Sequence, residues 1–100
     1  MNKTNIQNIE EEINREDIDC LTSLMPGERG IIQEIQCDGL TRRRFLDLGL
    51  VNGAEIEVIR KSILGDPIAY RVKGTQLAIR KMDAAKIMIK TIHKNGRNSR

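Results

Sequence analysis

Residues 41–53 read TRRRFLDLGLVNG, and this segment predicts a short helix that ends at a glycine before a strand begins. Thr41 is expected to cap the helix, because its hydroxyl can accept a hydrogen bond from a free N–H of the first turn. Gly49 can adopt the left-handed conformation that ends many helices, which lets Leu50 fold back on Phe45. A helix of about two turns is unstable alone in water, so it must pack on another part of the chain.

Three consecutive arginines follow the predicted cap. Arg42, Arg43 and Arg44 would lie at the positive end of the helix dipole, and Asp47 would lie at the negative end, so both sets of charges are unfavourably placed. Solvated arginines on the surface would tolerate this small cost. The alternative is that they form a docking patch for an acidic partner, since guanidinium groups bind carboxylates and phosphates well.

The composition is that of a single globular domain. The chain has 100 residues, of which 39% are hydrophobic and 31% are charged, and these fractions are ordinary for a globular protein. No apolar run approaches the ~20 residues that a membrane span needs. The first residues, MNKTN, are not followed by the apolar core of a signal peptide. We therefore predict a cytoplasmic protein without a membrane span.

Short runs rich in Ile and Val predict about five β-strands, because hydrophobic and polar residues alternate in them and turn residues separate them. The runs are 29–36, 55–60, 68–73, 76–80 and 87–92. Lys73-Gly74 predicts a tight hairpin between two of the strands. The sequence thus predicts a mainly β fold, a small and strongly bent antiparallel barrel or sandwich, with the short helix inserted between the first and second strands.

The two ends of the chain differ in charge from its centre. Residues 1–19 carry two basic and six acidic groups, hence −4, whereas residues 86–100 carry five basic groups and no acidic ones, hence +5. We divide the chain into an N-terminal acidic extension, a barrel domain and a basic C-terminal tail. The extension is expected to be a short helix or disordered. The three parts are residues 1–20, 21–92 and 93–100.

The sequence contains no recognisable catalytic or nucleotide-binding constellation. Its one histidine is His93, near the C-terminal end, so a triad with Ser or Cys is not supported. No glycine-rich phosphate-binding motif is present. These observations favour a non-enzymatic binding module. Its candidate surface combines the three arginines with basic residues expected on strand exteriors: Arg71, Lys73, Arg80 and Lys81.

Two other binding functions are compatible with the sequence. Cys20, Cys37 and His93, with nearby carboxylates, would be the ligands of a transition metal such as Fe²⁺, although they lack the usual ligand spacing. Nucleic acid is the weaker alternative, because the net charge is only +3 and stacking platforms are scarce. Tyr70 is expected to lie in the core rather than on the surface. We assign no residue to a metal site and predict no resident cofactor, with Fe²⁺ as the alternative.

Five segments together resemble the FeoA family, the small cytosolic proteins of bacterial ferrous iron transport. The resemblance covers about residues 21–90 and implies an SH3-like barrel. The segments occur in the family's order and spacing, and they are Leu24–Gly30, Arg43–Leu50, Gly53–Val58, Gly65–Ile68 and Arg80–Lys81.

The resemblance also implies a partner, the membrane transporter FeoB, whose cytosolic part is a GTPase domain. This chain would then be an accessory protein that binds FeoB through that domain and modulates it. We predict that the three arginines contact acidic groups of the partner. The apolar part of the contact is predicted to be Leu48, Gly49 and Leu50.

Overall fold

The computed structural model describes residues 18–92, which form one antiparallel sheet of six strands with two helices. The strands are β1 (Ile18–Cys20), β2 (Arg29–Ile35), β3 (Glu55–Lys61), β4 (Ile68–Val72), β5 (Thr75–Ile79) and β6 (Ile87–Ile92). The helices are α1 (Gly39–Asp47) and α2 (Lys81–Ala84), and a 3-10 turn follows β1 at Leu21–Ser23. The predicted mainly β fold is confirmed, including the helix between β2 and β3.

The sheet has the order β1-β6-β2-β3-β4-β5, so β1 and β5 are its edges. The register shifts between Ile32 and Glu34 in β2, and again between Val58 and Arg60 in β3. Such bulges bend a strand and increase its local twist. The sheet is therefore strongly bent but is not closed by pairing between β1 and β5 within residues 18–92.

Strand β1 is the strand that sequence analysis missed. Ile18, Asp19 and Cys20 pair with residues 88–90 of β6. Three residues are too few to show an alternating pattern, so this strand depends on a partner from the other end of the chain. The sheet thus includes the last residues of the predicted extension. The predictions for residues 1–17 and for the basic tail lie outside the described residues.

The turns agree with the sequence prediction. Lys73 and Gly74 have φ values of 51° and 79°, and two positive φ values in a two-residue loop are those of a type I′ hairpin turn. Helix α2 forms a single helical turn before β6. No helix within residues 18–92 has the length and apolar character needed to cross a bilayer.

The core is aliphatic and includes both aromatic side chains. Every second residue of β4 is buried, and Tyr70 lies in the middle of that row with 0% exposure, as predicted. Its hydroxyl has no hydrogen-bond partner among the described residues. Burial raises the pKa of the Tyr70 hydroxyl well above its usual range, because the charged form would lose its hydration.

Replacing Tyr70 by phenylalanine should therefore cost no stability. A buried hydroxyl without a partner opposes folding by about 1–3 kcal/mol, so Tyr70→Phe is expected to leave the free energy of unfolding unchanged or to raise it by about 1 kcal/mol. Urea denaturation followed by circular dichroism measures this change. A loss of more than ~1 kcal/mol would show that the hydroxyl is hydrogen-bonded in solution.

Candidate partner-binding surface

Helix α1 begins earlier than the sequence predicts. Its N-cap residue is Asp38 rather than Thr41, so the predicted cap is wrong. The Asp38 side chain makes no capping hydrogen bond, but its carbonyl accepts one from the Arg42 N–H at 3.4 Å. Gly39 has a φ of 62°, a conformation that glycine adopts readily. Gly39 therefore lets the helix begin before Thr41, whose side chain would be the better cap.

The earlier start removes the charge conflict at the arginines. Arg42 is now the fourth residue of α1, and Arg44 lies in the last turn, where a cation is favourable. Asp47 is the last residue of the helix, so its negative charge still lies at the negative end of the helix dipole. The arginines therefore do not occupy the unfavourable end of the helix, contrary to the prediction from the sequence. Their role has to be judged from their surroundings.

The C-terminal end of α1 forms as predicted. Gly49 has a φ of 99°; its N–H donates to the Leu46 carbonyl, and the Leu50 N–H donates to the Phe45 carbonyl, both at 3.0 Å. This is the Schellman pair of hydrogen bonds. Leu50 is 0% exposed and Phe45 is 6% exposed. Leu50 therefore anchors the helix to the core, and we leave its side chain out of the candidate contact.

The three arginines have different surroundings. An Nη1 of Arg42 donates to the Ile35 carbonyl at 2.7 Å, so this side chain ties α1 to the end of β2. Arg43 and Arg44 line a shallow hollow on the outside of the helix together with Leu40 and Asp47. We therefore assign Arg42 to the fold and keep Arg43 and Arg44 as candidate contact residues.

Arg44 also lines a groove between α1 and the corner that joins β5 to α2. The floor of this groove includes the buried side chains Phe45 and Ile79, and its rim carries Arg80, Met82 and the acidic residue Asp83. Arg44 and Arg80 are far apart in sequence, yet both line it, which unites two parts of the predicted basic surface. An apolar floor between cations suits an acidic partner that also offers an apolar side chain.

Exposed apolar side chains lie beside these cations. Leu40 is 83% exposed, Leu48 is 39% exposed and Met82 is 67% exposed. Leu40, Arg44 and Leu48 are spaced four residues apart, which places them on one stripe of the helix. We call this the α1 surface, and it comprises Leu40, Arg43, Arg44, Leu48, Arg80 and Met82. Leu40 and Met82 could not be predicted as contact residues, because the sequence does not show whether a leucine or a methionine is buried or exposed.

The other predicted basic residues do not join the α1 surface. Arg71 forms an ion pair with Glu57 at 3.2 Å. Lys73 lines a hollow with Arg71 and two glutamates, so this hollow carries charges of both signs. The Lys81 backbone N–H donates to Asp66 Oδ1 at 2.8 Å, beside the loop between β3 and β4. A continuous basic face across the strands is therefore not formed.

The described residues provide no favourable geometry for a metal site. Within residues 18–92 no three His, Cys, Asp or Glu side chains come together to hold a metal ion, and His93 lies outside that range. Burial, together with the negative charge of Asp83, raises the pKa of the Cys37 thiol. A raised pKa keeps the thiol protonated at neutral pH, whereas the thiolate is the form that binds metals.

The six strands form one open, strongly bent antiparallel sheet, and helix α1 on it presents cations and exposed apolar side chains. These features define a small, mainly β domain. The chain belongs to the FeoA family: the model of the FeoA domain matches residues 20–91. The resemblance seen in the sequence is thereby confirmed.

The chain is similar in sequence to a protein of ferrous iron transport. It is 34% identical over 79 residues to the Fe(2+) transport protein A/Fe(2+) transporter FeoB fusion protein of Porphyromonas gingivalis. The match covers 79% of this chain but 9% of that protein, so the chain spans less than a tenth of this relative's length.

Solved structures share the fold. The FeoA protein from Chlorobium tepidum superposes with a TM-score of 0.72 at 35% identity, over 74% of this chain and 70% of that chain. The Stenotrophomonas maltophilia FeoA, described as an SH3 domain protein, has a TM-score of 0.64 at 24% identity, over 71% of this chain and 88% of that chain. The predicted SH3-like fold class is confirmed.

Proposed function

We propose that this chain is a non-enzymatic cytoplasmic accessory protein of bacterial ferrous iron uptake. In this role it binds the cytosolic GTPase domain of a FeoB transporter and modulates its activity, and Fe²⁺ is the cargo of the transporter rather than a resident cofactor. The observation that supports the proposal most directly is the fused relative, in which a segment 34% identical to this chain belongs to the same polypeptide as FeoB. Fusion holds two domains at high effective concentration, which favours partners that act together.

The α1 surface is the proposed contact. Arg43, Arg44 and Arg80 make no ion pair with other residues of the range 18–92, so their charges are available to an acidic surface. Arginine beside exposed apolar side chains is a common composition for the centre of a protein interface. Leu48, a contact residue of the sequence-based prediction, is kept in the proposed contact. Gly49 supports the contact indirectly, because it ends the helix directly after Leu48.

Calorimetric titration of a soluble FeoB GTPase domain with the full chain tests the proposal. We expect saturable binding that weakens as salt is raised, because cations steer and stabilise the contact. The control is the GTPase domain of a protein that has no role in transport, and this domain should not bind. Absence of binding to the FeoB domain at concentrations of about 100 μM would overturn this function, since a dissociation constant above that value leaves little specific affinity.

A further inference from the structure

The loop between β3 and β4 carries the two most exposed large hydrophobic side chains of the described residues. Ile63 is 101% exposed and Leu64 is 90% exposed, so neither side chain packs on the rest of the protein. Single exposed aliphatic residues are common and need no explanation. Ile63 and Leu64 are adjacent and both project fully from the surface, and neither belongs to the proposed contact through α1.

A hydrogen-bonded turn presents these two side chains to solvent. The Gly65 N–H donates to the Ser62 carbonyl at 2.8 Å, which makes Ser62–Gly65 a β-turn with Ile63 and Leu64 at its central positions. The Asp66 N–H donates to the Ser62 Oγ at 2.9 Å. The exposure of the tip is therefore built into the conformation of the loop.

Cations surround the base of this loop. Arg60 and Lys61 end β3, and Arg80 lines a hollow with Asp66 and Pro67. The Lys81 N–H donates to Asp66 Oδ1 at 2.8 Å, which brings the start of α2 to the same place. None of these four cations forms an ion pair within residues 18–92. Two carboxylates lie near them: Asp66, in the same hollow as Arg80, and Asp83, which lines a groove with Arg80.

We propose that the Ile63-Leu64 tip inserts into the surface of an anionic lipid bilayer while the four cations contact lipid phosphates. An apolar tip with basic residues behind it matches the layered structure of such a surface, in which anionic headgroups lie above acyl chains. A bilayer is favoured over a protein partner because the tip is convex. A protein would have to supply a pocket of complementary shape, whereas fluid lipid closes around a projecting side chain.

The binding is expected to be weak and reversible. Even a single long acyl chain gives only marginal membrane attachment, and two aliphatic side chains bury less apolar surface. Such an interaction orients the domain at a membrane rather than anchoring it there. It goes beyond the proposed function and is tested with lipid alone, so it stands or fails independently of FeoB.

The first experiment is co-sedimentation of the full chain with vesicles of phosphatidylcholine, with and without phosphatidylglycerol. We expect the partition coefficient to be at least ~10-fold higher with the anionic lipid, because several basic residues lie near the surface. The variant Ile63→Ser/Leu64→Ser should lose about 10-fold or more of that binding. Leu40→Ser, a change at another highly exposed leucine, is the matched control and should leave it unchanged.

The second experiment uses fluorescence. The chain contains no tryptophan, so Leu64→Trp creates a single emitter at the loop tip, and its emission should shift to shorter wavelength when anionic vesicles are added. No vesicle binding, no spectral shift, or equal binding by Ile63→Ser/Leu64→Ser and Leu40→Ser would each overturn the proposal. So would a loss of FeoB-domain binding by Ile63→Ser/Leu64→Ser without vesicle binding by the parent chain, which would identify a protein as the occupant.

Discussion

Reversing two charges on helix α1, in the variant Arg43→Glu/Arg44→Glu, is expected to weaken binding of the soluble FeoB GTPase domain by about 30-fold or more. The reversal removes two attractions and creates repulsion with the acidic surface that we propose for the partner. Together these amount to about 2 kcal/mol for two reversed charges in the contact, and 1.4 kcal/mol corresponds to a factor of ten in affinity. Calorimetric titration at physiological salt measures the effect.

The control for this variant is Arg60→Glu/Lys61→Glu, which changes the net charge of the protein equally at the end of β3. It should bind the GTPase domain almost as well as the parent chain, because neither Arg60 nor Lys61 lines the hollow or the groove of the α1 surface. Thermal unfolding of both variants confirms that they are folded. Equal losses of affinity in the two variants would mean that only overall charge matters, and the α1 surface would then not be the contact.

Two leucines on either side of Gly49 should respond oppositely to truncation. Leu50 is 0% exposed and Leu48 is 39% exposed. Leu50→Ala is expected to lower the free energy of unfolding by about 3 kcal/mol, because it removes buried methyl groups and leaves a cavity under the end of α1. That is a large share of the ~5–15 kcal/mol by which a small domain is stable.

Leu48→Ala should have the complementary effect. We expect it to lower the free energy of unfolding by less than ~1 kcal/mol and to weaken binding of the GTPase domain several-fold, since an exposed apolar side chain of the proposed contact is lost. Urea denaturation and titration of both variants test this. If Leu48→Ala destabilised the protein as much as Leu50→Ala, the distinction between an anchoring and a contacting leucine would be refuted.

Local patterns in the sequence predict much of this fold. The strands of the sheet's centre are predictable because each has a buried face, as the alternation of Ile68, Tyr70 and Val72 in β4 shows. The end of α1 is predictable because Gly49 determines it within one turn. Its start is not, since Thr41 and the Asp38-Gly39 pair offer competing ways to begin a helix.

Features that depend on distant residues could not be read from the sequence. Strand β1 exists because β6 pairs with it. The hydrogen bond from Arg42 to the Ile35 carbonyl gives that arginine a structural role that its neighbours lack. Arg44 and Arg80 line the same groove because the corner between β5 and α2 lies beside α1. This packing could not be predicted from a local sequence pattern.

Strand β1 also covers an edge of β6. Strand β6 reads IMIKTI, a run of high β-propensity and low charge that could pair with the same run in another molecule. In the folded chain β2 pairs with one edge of β6 and β1 with the other. β1 therefore occupies an edge of β6 whose N–H and C=O groups would otherwise be free to pair with another strand. A truncation that removed Ile18–Cys20 would expose β6 and should make the protein self-associate.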